Sequence, residues 1–143
     1  MNPRAGRGAT PRPNVFPLTP GRIAIAPIRP TKGFKKPRPS IVLMESPADH
    51  NRLIVVGITT DGGRYDPADT RRYPPDAYLS VPSAKDGSAS TGLHRTSAAY
   101  AGFVQDFDRS ELEGTGGSVD GAFLDSLIRW LQAYFRKQQA APQ

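Results

Sequence analysis

The chain has 143 residues, no cysteine and a formal net charge of +6. That length fits one domain of ordinary size, and the missing cysteine excludes disulfides, thiolate metal sites and cysteine nucleophiles. The apolar runs at 23–28 and 53–58 fall far short of the roughly 20 residues of a membrane span, and the Pro-, Arg- and Gly-rich start holds no secretory h-region, so a reducing cytoplasm is the expected compartment.

The charge is one-sided. Nine of the 19 basic residues and none of the 13 acids lie in residues 1–40, while residues 41–143 carry a net −3. Such a segment attracts polyanions: nucleic acid, an acidic protein or a membrane surface. Arg4, Arg7 and Arg12 read as a solubilising tail. The group from Lys32 to Arg38 sits between two predicted strands, and a basic loop held by a scaffold is more often a binding site.

In chain order, residues 1–20 hold too little large apolar surface to offset the entropy of ordering and are expected to be a disordered basic tail. One domain is expected over 21–137. Residues 23–28 predict a first strand, with Pro27 marking an edge or the strand's end. The turn Arg29-Pro30-Thr31-Lys32-Gly33 comes next. Residues 41–44 and 53–58 predict two more strands, joined as a hairpin through Ser46-Pro47-Ala48-Asp49-His50-Asn51. Gly57 inside that third apolar run implies a bulge or a close approach of two backbones.

Residues 61–76 read as loop, broken by Gly62-Gly63, Pro67, Pro74 and Pro75. Short strands are expected at 77–81 and 97–104, separated by a polar loop at 83–91. Residues 106–112 predict a further short strand or a turn, and Gly114, Gly116 and Gly117 punctuate the stretch before the last element. That element is a helix, expected over about 119–136, with Phe123, Leu124, Leu127, Ile128, Leu131, Tyr134 and Phe135 on one face. Ser118 is its expected N-cap, and Asp120, Arg136 and Lys137 suit its dipole. Residues 138–143 are expected to be a disordered tail. Short strands with no helix between them predict a mainly β, α+β fold: an antiparallel sheet or small barrel partly covered by one C-terminal helix.

No P-loop, dinucleotide fingerprint or His/Glu zinc motif is present. His50 and His94 lie in polar contexts and read as solvated surface histidines. His94 stands three residues from Ser97, but nothing specifies the buried carboxylate that a triad needs. A composite constellation stands out instead. In an antiparallel hairpin, Arg38 opens one strand beside the end of the next at Thr59. A guanidinium and a hydroxyl then meet at one rim of the sheet, next to the basic loop 32–36. The planar donors of arginine match phosphate oxygens, and threonine adds one more donor or acceptor.

These residues resemble the MazF/PemK family of toxin endoribonucleases from type II toxin–antitoxin systems. Gly21-Arg22-Ile23 resembles the family's opening Gly-Asp-Ile strand, with Arg22 in place of the usual acid. Pro30-Thr31-Lys32-Gly33 resembles its Pro-Thr-x-Gly turn. Lys36-Pro37-Arg38-Pro39 before Ile41-Val42-Leu43 resembles its Arg-Pro motif, and Ile58-Thr59-Thr60 its Ile-Thr-Ser/Thr strand end. Thr91-Gly92-Leu93 through Ser97, with the closing helix, resembles its C-terminal half. The match spans about residues 21–136.

The resemblance implies an SH3-like antiparallel β-barrel with a C-terminal helix, usually as a homodimer. It implies a sequence-selective, metal-independent endoribonuclease that cleaves single-stranded RNA, needs no cofactor and is neutralised by an acidic antitoxin protein. Arg38 and Thr59 are then the catalytic residues. Lys32, Lys35, Lys36, Thr60 and Arg95 are the expected RNA-binding residues, and Tyr65 or Tyr73 is expected to stack bases or else to anchor the loop. Some family members carry an acid before the Arg-Pro motif; here that stretch is Phe34-Lys35-Lys36, which has none. The alternative expectation is an SH3-like barrel that binds RNA or protein without cleaving.

Overall fold

The computed structural model describes residues 16–30, 32–84 and 90–140. Residues 1–15 and 141–143 of the two expected tails, Thr31 of the expected turn and residues 85–89 of the polar loop lie outside the described residues. The described chain forms β1 (Arg22–Ile28), β2 (Lys36–Ser46), β3 (Asp49–Thr59), β4 (Tyr78–Val81), β5 (Ser97–Asp108), β6 (Glu113–Ser118) and α1 (Gly121–Ala140). All strands join one antiparallel sheet in the order β4-β5-β3-β2-β1-β6. The fold is mainly β with a C-terminal helix, as the sequence pattern predicts.

The expected hairpin of β2 and β3 is present, and its turn is tight: Ser46 stands opposite Asp49, leaving Pro47 and Ala48 between them. Both strands run beyond their apolar centres, because backbone pairing does not need apolar side chains at the ends. Alternate side chains point to opposite faces. Ile41, Leu43, Val56 and Ile58 face α1, where Leu127 and Leu131 are buried and Phe123, Leu124, Ile128, Trp130 and Tyr134 pack around them. Val42, Leu53 and Val55 face the other way and join Ala24, Ala26, Ile28, Phe107 and Leu112 in a second core. Two-sided burial explains why β2 and β3 are continuous apolar runs rather than alternating ones.

That second core exists because the sheet curls. The side-chain amide of Gln105 accepts from Arg29 N–H at 3.0 Å and donates to Arg29 C=O at 2.7 Å. Gln105 is on β5 and Arg29 comes just after β1, three places away in the strand order. In a flat sheet they would be about 14 Å apart, at about 4.8 Å per strand. The curl is barrel-like, but the ladder does not close: β4 and β6 are its edges and do not pair. Residues 82–84, which follow β4, and 90–93, beside β6, bridge the gap instead. Thr91 Oγ1 donates to Pro82 C=O at 2.7 Å, and Ser118 N–H donates to Ser90 C=O at 2.9 Å.

Strand β6, Glu-Gly-Thr-Gly-Gly-Ser, is absent from the sequence expectations because it has no apolar alternation. Its glycines are needed for clearance: a Cβ on Gly117 would lie 2.1 Å from the Thr91 carbonyl oxygen. The expected N-cap moves from Ser118, which ends β6, to Asp120, whose Oδ1 accepts from Phe123 N–H at 2.7 Å. The helix continues past the expected end at Arg136 to Ala140, and Phe135, expected on the apolar face, is 41% exposed. Pro27 pairs across to Pro37 on β2, while β6 has already left the other side of β1 beyond Ile25. A residue without an N–H is tolerated at such a one-sided position. Of the segment expected to be disordered, Leu18 packs on the second core and Thr19 C=O accepts from Arg22 N–H at 3.1 Å. Among the described residues no helix is long and apolar enough to cross a membrane.

Candidate active site

The β2–β3 register sets Ser40 opposite Gly57. Carried two residues outward, the same register brings Arg38 and Thr59 to one rim. Both line a cavity of about 290 Å³, together with Asp61, Arg72, Tyr73, Tyr78, Tyr100 and Phe103. The hairpin thus places both side chains on the wall of one cavity.

A bulge builds the cavity floor. Val56 pairs with Val104 and Ile58 with Ala99, so β3 passes one residue, Gly57, while β5 passes residues 100–103. A Cβ on Gly57 would lie 2.9 Å from Phe103 Cβ and 3.1 Å from Ile28 Cγ1, so the expected close approach is there and requires glycine. The bulge turns Tyr100 and Phe103 toward the rim. Phe103 lies under Arg38, with the guanidinium carbon 5.1 Å from the ring centroid. Tyr100 stacks on Tyr78 of the neighbouring strand, centroids 4.7 Å apart, and meets Phe103 edge-on at 4.9 Å.

Arg38 is half-buried, and its Nε is buried without a hydrogen-bond partner. Among the described residues no acid forms an ion pair with it. Backbone pairing and a ring face hold this cation, so its charge is not cancelled. Thr59 is buried, and its Oγ1 accepts from Asp61 N–H at 2.9 Å. Accepting that bond leaves the Thr59 hydroxyl able to donate as well.

The wall facing this pair comes from the loop after β3. Asp61 adopts φ 48°, and aspartate tolerates this left-handed region better than most residues. Its carboxylate accepts a hydrogen bond from the Tyr73 hydroxyl and lies 3.5 Å from Arg72 Nη2 and 3.4 Å from Arg64 Nη2. The Tyr73 hydroxyl holds the Asp61 carboxyl below its usual range, and Arg64 and Arg72 add to this against the opposing effect of burial. Burial pushes the Tyr73 phenol up, and its bond to Asp61 pushes further. Burial, with smaller contributions from Tyr100 and Asp61, raises Tyr78.

The other expected RNA-binding residues lie outside this cavity. Thr60 braces the turn: its carbonyl accepts from Gly63 N–H at 2.9 Å and Tyr65 N–H at 3.0 Å. Arg95 is exposed and lines an adjoining cavity of about 330 Å³ with Gly63, Tyr65, His94 and Thr96. Lys32, Lys35 and Lys36 are exposed on the connection into β2 and its first residue. Tyr65 and Tyr73 are loop anchors rather than stacking platforms: both are buried, and the Tyr65 hydroxyl is 2.7 Å from Ser80 Oγ. The half-buried rings at the cavity are Tyr78, Tyr100 and Phe103.

Asp61, Arg72, Tyr78, Tyr100 and Phe103 are absent from the sequence-based site. One signal did exist: an acid followed by two glycines directly after Ile58-Thr59-Thr60, a place where a side chain can turn back on the strand end. No protein-family model matches the chain, and a search of the curated proteins finds no match to it.

Proposed function

We propose that this chain is a metal-independent, sequence-selective endoribonuclease that cleaves single-stranded RNA, acting as the toxin of a type II toxin–antitoxin system. The observation that carries the reading is the shared cavity of Arg38 and Thr59, in which the guanidinium has no carboxylate partner among the described residues. These are the two positions that the resemblance to the MazF/PemK family marks as catalytic. In the proposed reaction the 2′-hydroxyl oxygen attacks the adjacent phosphorus, the bond from phosphorus to the 5′-oxygen breaks, and a cyclic phosphate and a 5′-hydroxyl form. The 2′-proton passes to solvent, and the leaving oxygen takes up another. Negative charge grows on the phosphoryl oxygens. Arg38 meets that charge, and the Thr59 hydroxyl donates to one of those oxygens. A fixed donor of this kind is worth about 2.7–4 kcal/mol, or roughly a hundred- to a thousandfold in rate. The aromatic floor suits an unstacked base beside the phosphate.

The proposal includes action in the cytoplasm, a homodimer, and neutralisation by an acidic antitoxin protein drawn to the positive rim. One observation favours the second reading, a module that binds RNA or protein without cutting. The cavity groups whose ionisation is displaced all move away from neutrality, Asp61 downward and Tyr73 and Tyr78 upward. None is thereby tuned to take a proton at neutral pH.

The deciding measurement is cleavage of a long single-stranded RNA with EDTA present. Wild type is expected to give discrete cuts, and Arg38→Ala and Thr59→Ala to lose roughly a hundredfold or more of the rate. Cutting that survives Arg38→Ala refutes the site. Binding without cutting in every form selects the second reading.

A further inference from the structure

We infer that Arg72 is a second phosphate-binding cation of this site, and that Asp61 is the positioning residue that holds it there. The inference rests on reading the cavity as the RNA-cleaving site.

Arg72 lies on the aperiodic loop between β3 and β4, far from Arg38 in sequence, yet lines the same cavity. Its Nη2 lies 3.5 Å from Asp61 Oδ2, and its guanidinium carbon is 5.6 Å from the Tyr73 ring centroid. Its side chain is 54% exposed, so the cation is oriented but still accessible. Asp61 organises this wall. Oδ2 takes the Tyr73 hydroxyl and faces Arg72, Oδ1 faces Arg64, and the backbone N–H donates to Thr59 Oγ1. One residue thus links the expected hydroxyl donor to a guanidinium from a separate element.

Charge count supports a ligand rather than a closed ion pair. Asp61 faces two guanidinia, and Arg38 across the cavity has no acid partner among the described residues. The cavity keeps an excess of positive charge. A phosphodiester monoanion fits it, with one arginine from the β2 rim and one from the loop. Asp61 itself is held by its neighbours in a weakly basic state, which suits a structural anion better than a proton acceptor.

The test uses the full chain and a short fluorescent single-stranded RNA with 2′-fluoro riboses, which cannot be cut by 2′-attack. Binding is followed by anisotropy from about 50 to 200 mM salt. For a single strand, each phosphate contact contributes about 0.7 to the slope of log K against log salt. Arg72→Ala and Arg38→Ala are each expected to flatten the slope by about 0.7. Arg72→Lys is expected to restore the slope but not the cleavage rate on unmodified RNA, because lysine keeps the charge and loses the fork. Asp61→Asn is expected to bind the strand at least as tightly, since a negative charge is gone, while kcat falls about tenfold or more. A merely destabilising change would instead lower binding and rate together.

An Arg72→Ala slope equal to wild type, with Arg38→Ala flattened, overturns the second cation and leaves the proposed function standing. Loss of binding and rate together in Asp61→Asn overturns the positioning role. Wild type that does not bind the strand overturns the reading of the cavity and this inference with it.

Discussion

Arg38 is a cation held in place without an acid partner among the described residues. Its guanidinium rests on the Phe103 face, an attraction worth about 0.5–2 kcal/mol, depending on how dry the pair is. Its strand position is fixed by the pairing of β2 with Ala26 of β1. Asp61 is the opposite case, an anion surrounded by donors. Because its folded carboxyl is held below the ordinary value of 3.8, it contributes stability that is present above that value and lost as pH falls through the lower folded value. Asp61→Asn removes this dependence. Urea midpoints compared at about pH 5 and pH 2 are expected to fall further for wild type than for the variant. Equal losses in both would mean that the Tyr73, Arg64 and Arg72 contacts do not favour the ionised form. At this scale the sequence showed Arg38 and Thr59 because hairpin pairing brings a strand start beside a strand end. It did not show Asp61 or Arg72, because no periodicity in residues 61–76 says which loop residue folds back.

Elements that carry β-branched and leucine runs were legible, and those built on glycine were not. The strands β1, β2 and β3 announce themselves with 23–28, 41–44 and 53–58, separated by turn-forming residues. Strand β6 does not, since Glu-Gly-Thr-Gly-Gly-Ser has neither alternation nor strand propensity. It pairs because β1 offers a free edge and because Gly117 has no side chain to strike the chain at Thr91. Gly117→Ala places a methyl carbon 2.1 Å from a carbonyl oxygen, so one backbone must move. A loss of about 1–3 kcal/mol is expected from such overpacking, read as a lower urea midpoint at unchanged m-value. A midpoint equal to wild type would mean that residues 90–93 do not dock on β6. The bulge of β5 is the same lesson at the site. Gly57 signalled a close approach, but which rings would use it, Tyr100 and Phe103, depends on a register shift that a period of two cannot show.

For the whole molecule, the helix packs on one face of the curled sheet, and the rim on which the cavity opens is lined by β2, β3, β5, the loop before β4 and the first residue of β4. The strongly basic connection at 32–36 lies beside that rim, and Phe34 within it is 92% exposed. An exposed aromatic ring of that size can bury apolar area at an interface. As part of the proposed function, light scattering at micromolar concentration is expected to give a dimer, and a monomer would count against it. Phe34→Ser is expected to loosen the dimer; a variant that stays fully dimeric places the contact elsewhere.

The pairing of β1 with β6 sets an order on how such a molecule comes into being. Arg22 is opposite Ser118, so the first strand made waits for the last one before its second edge is covered. Contacts this distant in sequence form late. During translation the Arg-Pro rim and Thr59 emerge well before Tyr100 and Phe103, and a nascent chain that carries Arg38 has no ring yet to seat it. Under the proposed function, the cavity assigned to RNA cleavage is complete only after β5 has been made.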